Sequence, residues 1–223
     1  PMARLKEYNG HYCESEYEYA FIGFLETEGW KYTSGNKLSR VTKRDVLIED
    51  DFKKFIADGN PDLTEDEVTL IYDTVRLVGA ESDFATLHKV YNWLVDGIQF
   101  TPKDGIARMI PLINFEKDGV KNIFRVVNQF TVEYTNNGQK ENRRPDVILF
   151  VNGMPLCIME LKNPADANAT IYDAWEQINI RYWRDIPHLL HYCPLACISD
   201  GVKTRLGTVR TPYEHFYAWR RVN

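Results

Sequence analysis

Apolar residues recur at helical intervals near the start of the chain: Phe21, Ile22 and Leu25. Ser15 and Glu18 have the spacing of a capping box, in which each side chain accepts from the other residue's backbone N–H. Gly29 is the residue type on which helices commonly end. The pattern therefore predicts a first helix from Ser15 to Glu28.

The same periodicity predicts three more helices in residues 42–96, capped by Thr42, Thr64 and Ser82. They are Lys43–Ala57, Thr64–Gly79 and Ser82–Val95. The segment from Glu49 to Asp73 holds nine acidic residues against two lysines, so it should repel phosphates. We interpret 42–96 as a helical insertion within a single domain that covers 1–223.

Short runs rich in β-branched and aromatic residues follow Gly97 and predict strands. They are Met109–Phe115, Asn122–Tyr134, Arg144–Val151, Pro155–Leu161 and His191–Ser199. One helix interrupts them, from its cap residue Asn168 to Arg184. This order predicts the α/β class, with a sheet layered by helices.

Composition and charge narrow the class of protein. The 223 residues are 44% hydrophobic and 26% charged, with a mean hydropathy of -0.41, as in ordinary globular proteins. No run approaches the roughly 18 apolar residues of a membrane span. Four irregularly spaced cysteines do not make a disulfide framework, so we expect a cytoplasmic protein. A net charge of -5 gives no global attraction to nucleic acid, although residues 203–223 are locally basic.

The segment from Arg143 to Pro164, RRPDVILFVNGMPLCIMELKNP, carries the candidate chemistry. Its two predicted strands are apolar except for three charged residues: Asp146, Glu160 and Lys162. Buried charges are unfavourable unless they are paired or bind a metal ion. The segment therefore predicts a functional site within the hairpin.

The length of the hairpin loop decides which of these charges share a face. With a two-residue loop, Asn152-Gly153, the two carboxylates would point to opposite faces of the sheet. With a three-residue loop, Asp146 lies opposite Glu160, and Lys162 shares their face. We therefore predict the longer loop, or a bulge that has the same effect.

Two carboxylates and an ammonium group on one face suit a hard divalent cation. Mg²⁺ takes oxygen ligands, usually one or two carboxylates together with water and phosphate oxygens. A lysine beside such an ion can orient the attacking water and stabilise developing charge. The hairpin thus predicts metal-dependent hydrolysis of a phosphodiester, with Mg²⁺ as cofactor and Mn²⁺ as its substitute.

These residues resemble the signature of PD-(D/E)XK nucleases, in which PD at 145–146 precedes ELK at 160–162 by thirteen residues. Three further features narrow the resemblance: an acidic first helix ending in Gly29-Trp30, the continuation ELKNP, and a following helix that carries Gln177 and Tyr182. Together they resemble the N-terminal nuclease domain of the R (motor) subunit of type I restriction endonucleases, over residues 15–199.

The resemblance implies a restriction-endonuclease-like core, with a mixed central sheet flanked by helices. It also implies the activity of a type I site-specific deoxyribonuclease. Asp146 and Glu160 would bind the metal ion together with the carbonyl of Leu161, and Lys162 would be the catalytic lysine.

Further site residues follow from the resemblance. A first-helix acid usually completes the site, and Glu18 is better placed here than Glu16. The family carries a glutamine and a tyrosine four residues apart, whereas Tyr182 follows Gln177 by five and Arg181 takes the expected place. Gln177 is therefore predicted as a catalytic-site residue, and Tyr182 is the weaker match.

DNA contacts are expected beside this site. Arg143 and Arg144 precede the first metal ligand and can hold a phosphate, and Tyr182 is added as a third contact by the resemblance.

The resemblance implies double-stranded DNA and the modification and specificity subunits of a restriction complex as partners. The sequence contains no G-x-x-x-x-G-K-[ST] phosphate loop, so ATP is expected only in motor domains of a longer chain. Two other classes stay open. One is a catalytically inactive DNA-binding or subunit-assembly module of the same fold, and the other is a carboxylate hydrolase such as a glycosidase, which needs no metal.

Overall fold

The computed structural model describes residues 14–79, 82–103, 105–163 and 170–218. The helices are α1 (Glu14–Thr27), α2 (Glu49–Gly59), α3 (Glu65–Arg76), α4 (Asp83–Asp96), α5 (Ile171–Glu176), α6 (Trp183–Asp185) and α7 (Pro187–Leu190). A π-helical turn, Gln177–Tyr182, joins α5 to α6, and a 3₁₀ turn spans Tyr213–His215. The strands are β1 (Lys31–Ser34), β2 (Ile98–Phe100), β3 (Arg108–Ile110), β4 (Phe124–Asn128), β5 (Val132–Asn136), β6 (Gln139–Arg143), β7 (Val147–Val151), β8 (Met154–Leu161), β9 (Leu195–Ser199), β10 (Thr204–Thr208) and β11 (Tyr217–Ala218).

Seven strands form one mixed sheet in the order β1-β4-β7-β8-β9-β10-β11. The pairs β1–β4 and β8–β9 are parallel, and the other neighbours are antiparallel. The pairs β2–β3 and β5–β6 form two small separate sheets. Helices flank the central sheet, so the predicted α/β class and restriction-endonuclease-like architecture are confirmed. In the described residues, no helix has the length and apolar character needed to cross a membrane.

The central sheet buries a hydrophobic layer on each face because side chains alternate along a strand. On one face, Ile158 of β8 belongs to a core built with α2, α3, α4, α5 and the π-helical turn. On the other face, the neighbouring Met159 packs with Ile22 of α1. Glu160 follows Met159, so its side chain lies on the face of α5 and the π-helical turn, opposite α1.

Local capping sets the starts of α3 and α4, as predicted. Thr64 forms a capping box with Glu67, and the hydroxyl of Ser82 accepts from the backbone N–H of Ala85. Helix α1 lies within one residue of its predicted bounds and ends before Gly29, whose φ is 89°. These bonds join residues three apart, so they form largely independently of the rest of the fold.

The helix predicted over 43–57 is wrong at its start, because α2 begins at Glu49. Thr42 caps no helix; its N–H and hydroxyl donate to Asp45 Oδ2 at 2.8 and 3.1 Å and close a local turn. The chain is then extended and buried, and Ile48 N donates to a carbonyl of the β7–β8 turn at 2.8 Å. A tertiary contact therefore replaces the first part of the predicted helix.

Other elements are shorter or divided. The run predicted over 122–134 breaks into β4 and β5 at Gln129, whose φ is 52°. The strands predicted over 109–115, 144–151 and 191–199 are confined to β3, β7 and β9. Strands β1 and β6 were missed because they are polar.

The helix predicted from Asn168 to Arg184 is divided into α5, the π-helical turn and α6. Its N-cap is Thr170, which forms a capping box with Asp173. Asn168 lies outside the described residues.

The β7–β8 hairpin turns on only two residues, 152–153, and both have positive φ. The predicted three-residue loop is therefore wrong. A bulge within β8 corrects the register instead, and Val147 pairs with Met159. One residue further out, Asp146 falls opposite Glu160, so the alternative prediction of a bulge with the same effect is confirmed.

We expect Gly153→Ala to destabilise the protein more than the matched variant Gly138→Ala. Both glycines are the second residue of an Asn-Gly turn, with φ of 77° and 78°, so the left-handed strain is the same. A Cβ at Gly138 meets no atom within 4 Å, whereas one at Gly153 would collide with the carbonyl oxygen of Ile48. Urea denaturation should show an additional loss of about 1–3 kcal/mol for Gly153→Ala. Equal losses in the two variants would contradict this account.

Candidate active site

Asp146 and Glu160 lie side by side at one end of the β7–β8 hairpin. Asp146 Oδ2 accepts a hydrogen bond from the backbone N–H of Leu161 at 2.8 Å, which ties this carboxylate to β8 next to Glu160. The exposed fraction is 9% for Asp146 and 0% for Glu160. The structure thus brings the two predicted metal ligands together in a buried position.

The environment of Glu160 disfavours its ionised form. Burial raises the pKa of Glu160 well above its ordinary value, and the neighbouring carboxyl of Asp146 raises it further. Oε2 accepts from Gln177 Nε2 at 2.6 Å. Oε1 is buried and has no hydrogen-bond partner among the described residues. A buried carboxyl oxygen in this position is satisfied either by a proton, in keeping with the raised pKa, or by a bound cation.

Gln177 links Glu160 to Lys162. Its Nε2 donates to Glu160, and its Oε1 accepts from Lys162 Nζ at 2.9 Å. Within the described parts of the chain, Lys162 forms no ion pair with a carboxylate. The ammonium group is therefore held beside the carboxylate pair through an amide.

The π-helical turn accounts for the unusual spacing of Gln177 and Tyr182. A π turn brings residues i and i+5 together, where an α-helix brings together i and i+4. Gln177 Nε2 accordingly donates to the Tyr182 hydroxyl at 2.7 Å. Burial raises the pKa of Tyr182, and the nearby Glu160 raises it further, so the phenol stays protonated. Arg181 follows Gln177 by four residues, the spacing of neighbours on an α-helix, and its side chain is exposed.

Glu18 is buried, but on the side of the sheet covered by α1. Its exposed fraction is 4%, and its carboxylate accepts from Asn128 Nδ2 at 2.6 Å and Gln129 Nε2 at 2.9 Å. The side chains of Asp146 and Glu160 lie on the opposite face, and the structure does not bring Glu18 together with them.

Among the residues that the structure describes, no third carboxylate joins the pair. Over the described ranges, no group of three or more His, Cys, Asp or Glu side chains is placed to hold a metal ion. Glu16, the other first-helix candidate, is half-buried on α1. Gln129 binds Glu18 through its side chain, and its backbone N–H donates to the carbonyl of Asp146 at 2.8 Å. Glu18 is thus linked to Asp146 indirectly, through Gln129. The described part of the site therefore has two carboxylates and a lysine.

The chain matches the model of a protein family described as the N terminus of the type I restriction enzyme R protein, over residues 12–215. This chain belongs to that family. It is 35% identical over 215 residues to a putative type I restriction enzyme MjaIXP endonuclease subunit of Methanocaldococcus jannaschii. It is 30% identical over 224 residues to the type I restriction enzyme HindI endonuclease subunit of Haemophilus influenzae. These alignments cover 92% and 94% of the chain, which spans about a fifth of the length of each relative.

The predicted DNA contacts of this R protein N-terminal domain differ in their exposure. Arg143 Nη2 lies 2.6 Å from Asp185 Oδ2, and its guanidinium stands 5.1 Å from the centre of the Tyr134 ring. Arg144 is exposed and forms no ion pair with any described residue. Tyr182 is only 2% exposed, so its side chain supports Gln177 and does not face solvent. Of the three, Arg144 is the most available to a ligand.

Two residues that hold Glu18 in place were missed from the sequence. Asn128 and Gln129 bind Glu18, and Tyr32 donates to Asn128 Oδ1 at 3.0 Å. Their signal was present, because two amide residues follow directly on the apolar run of β4.

Proposed function

We propose that this chain is a metal-dependent DNA endonuclease domain and the cleavage module of a type I restriction enzyme. Membership of the R protein family supports the proposal, as do the names of the relatives, which are endonuclease subunits. The observation that carries it is the buried pair of Asp146 and Glu160, with an unsatisfied Oε1, beside Lys162.

The donor set suits Mg²⁺, with Mn²⁺ as a substitute. Carboxylate oxygens of Asp146 and Glu160, with the carbonyl of Leu161, are hard ligands of the kind that Mg²⁺ uses together with water. A divalent cation at this position would satisfy Glu160 Oε1. Its positive charge would also lower the pKa of Glu160, because a cation stabilises the ionised form of both carboxylates.

The geometry supports the following roles for the chain's own residues. When bound, the ion would supply Lewis-acid activation and stabilise the departing oxygen. Lys162 Nζ positions the water that attacks phosphorus and stabilises the charge that develops on the phosphoryl oxygens. Gln177 holds Lys162 and Glu160 in one arrangement, and the Tyr182 hydroxyl holds Gln177. The bond that breaks is the P–O bond to the departing nucleotide.

We propose double-stranded DNA as the substrate, with Arg143 and Arg144 as phosphate contacts. The modification and specificity subunits of a restriction complex are the proposed partners, since the relatives are named as subunits of type I restriction enzymes.

A calorimetric titration with Mn²⁺, with and without a short DNA duplex, tests the metal site. We expect wild type to bind Mn²⁺ and Asp146→Asn to lose this binding, because the variant removes a charged ligand beside Glu160. Asp58→Asn is the matched control, since this carboxylate lies on the surface of α2 and pairs with Lys54 at 2.7 Å. Unchanged Mn²⁺ binding by Asp146→Asn would show that the ion binds at another position. No binding by wild type in either condition would favour the catalytically inactive module.

A further inference from the structure

A surface hollow of about 560 Å³ opens next to the carboxylate pair. It is lined by Asn142, Arg143, Arg144, Gln177, Arg181 and Tyr182. Gln177 and Tyr182 belong to the candidate active site as well, so the hollow is continuous with the group that holds Glu160 and Lys162. Three of the lining side chains are guanidinium groups, and none of the six is acidic.

Two of the three arginines have their charge available. Arg143 is paired with Asp185, at 2.6 Å. Arg144 and Arg181 are exposed, and neither forms an ion pair within the described residues. The whole chain has a net charge of -5, so two unpaired guanidinium groups in one concavity mark a local site for an anion.

The π-helical turn places Arg181 in this hollow. In an uninterrupted α-helix, Arg181 would be the residue that stacks one turn above Gln177. The π turn transfers that contact to Tyr182, whose hydroxyl lies 2.7 Å from Gln177 Nε2. Arg181 is thereby released from the buried polar cluster and lines the open hollow.

We propose that Arg144 and Arg181 together bind a backbone phosphate of DNA that neighbours the phosphate undergoing cleavage. The inference rests on the proposed function, which brings a DNA backbone to Glu160 and Lys162. Guanidinium groups present paired N–H donors that match phosphate oxygens. Gln177 lines the hollow and also binds Glu160 and Lys162, so a phosphate held by the two arginines would lie beside the phosphate undergoing cleavage. The two arginines would thereby fix the position of the DNA strand along the site.

Duplex binding measured in EDTA across a salt series tests this site separately from cleavage. Each phosphate contact adds about 0.9 to the slope of log K against log salt concentration. Because the two arginines hold one phosphate, we expect the double variant Arg144→Gln/Arg181→Gln to reduce the slope by about 1, and each single variant to reduce it by no more than that. Arg184→Gln is the matched control on the same helical segment, because Arg184 is 66% exposed but is paired with Asp185 at 2.7 Å.

The outcomes separate this inference from the proposed function. A wild-type slope in the double variant would overturn the phosphate site and leave the nuclease proposal standing. An equal reduction by Arg184→Gln would overturn the site too, because the effect would then be one of general charge. Absence of duplex binding by wild type would also overturn it. A reduced slope in the double variant, without Mg²⁺-dependent cleavage by wild type, would support the phosphate site and overturn the nuclease proposal.

Discussion

Replacing Lys162 with alanine is expected to slow Mg²⁺-dependent DNA cleavage by about 10²–10³-fold while Mn²⁺ binding is retained. Lys162 Nζ lies 2.9 Å from Gln177 Oε1 and is outside the proposed ligand set. The loss of one group that stabilises developing charge typically lowers a catalytic rate by about 10²–10³-fold. Single-turnover cleavage of a DNA duplex measures the effect, and calorimetry with Mn²⁺ shows whether the ion still binds.

Lys54→Ala is the control for this experiment. Lys54 is an exposed lysine of the acidic helix α2 and pairs with Asp58. Its replacement should leave cleavage at the wild-type rate. Cleavage at that rate by Lys162→Ala would remove Lys162 from the proposed mechanism. Joint loss of cleavage and Mn²⁺ binding would instead make Lys162 a residue that maintains the site.

Replacing Arg125 with alanine is expected to lower the free energy of unfolding by about 3–5 kcal/mol. Arg125 of β4 forms a bidentate pair with Asp51 of α2, through Nε and Nη2 at 2.6 Å each. Its Nη1 also donates to Thr33 of β1 at 2.7 Å. The paired side chains are only 10% and 9% exposed. The variant would leave the Asp51 carboxylate buried without its partner, which is the reason for the large loss.

Urea denaturation of matched variants checks this expectation. Arg76→Ala breaks an exposed pair with Asp73, at 3.0 Å, and should lose only about 0–1 kcal/mol. Adding Asp51→Leu to Arg125→Met should recover most of the stability, because removal of both partners leaves no buried charge. A loss for Arg125→Ala no larger than that for Arg76→Ala would contradict the assignment.

The pairing of Asp146 with Glu160 was predictable because strand alternation restricts the hairpin to two choices. Only one of them puts both carboxylates on the same face. The way in which the chain achieves it was not predictable in detail. A two-residue turn with a bulge and a three-residue loop both place Asp146 opposite Glu160. The contact of Gly153 with Ile48, which is distant along the chain, favours the two-residue turn.

The partners of Glu18 and Gln177 show the limits of counting residues along a helix. Glu18 was assigned to a local cap and to the catalytic site, and its carboxylate binds Asn128, which is 110 residues away along the chain. Gln177 meets Tyr182 only because the helix adopts a π turn, and a helix with regular α periodicity would select Arg181. Both assignments depended on geometry that no short segment encodes.

The sequence by itself determined the features whose causes lie within a few residues. These include the capped starts of α3 and α4, the apolar strands of the core, and the three charges of the hairpin. It also contained the family resemblance, which the comparisons confirm. Tertiary structure alone decided the start of α2, the face on which Glu18 lies and the buried pair of Asp51 with Arg125. In each of these the stabilising partner is distant along the chain, so its contribution exists only once the sheet has brought the two segments together.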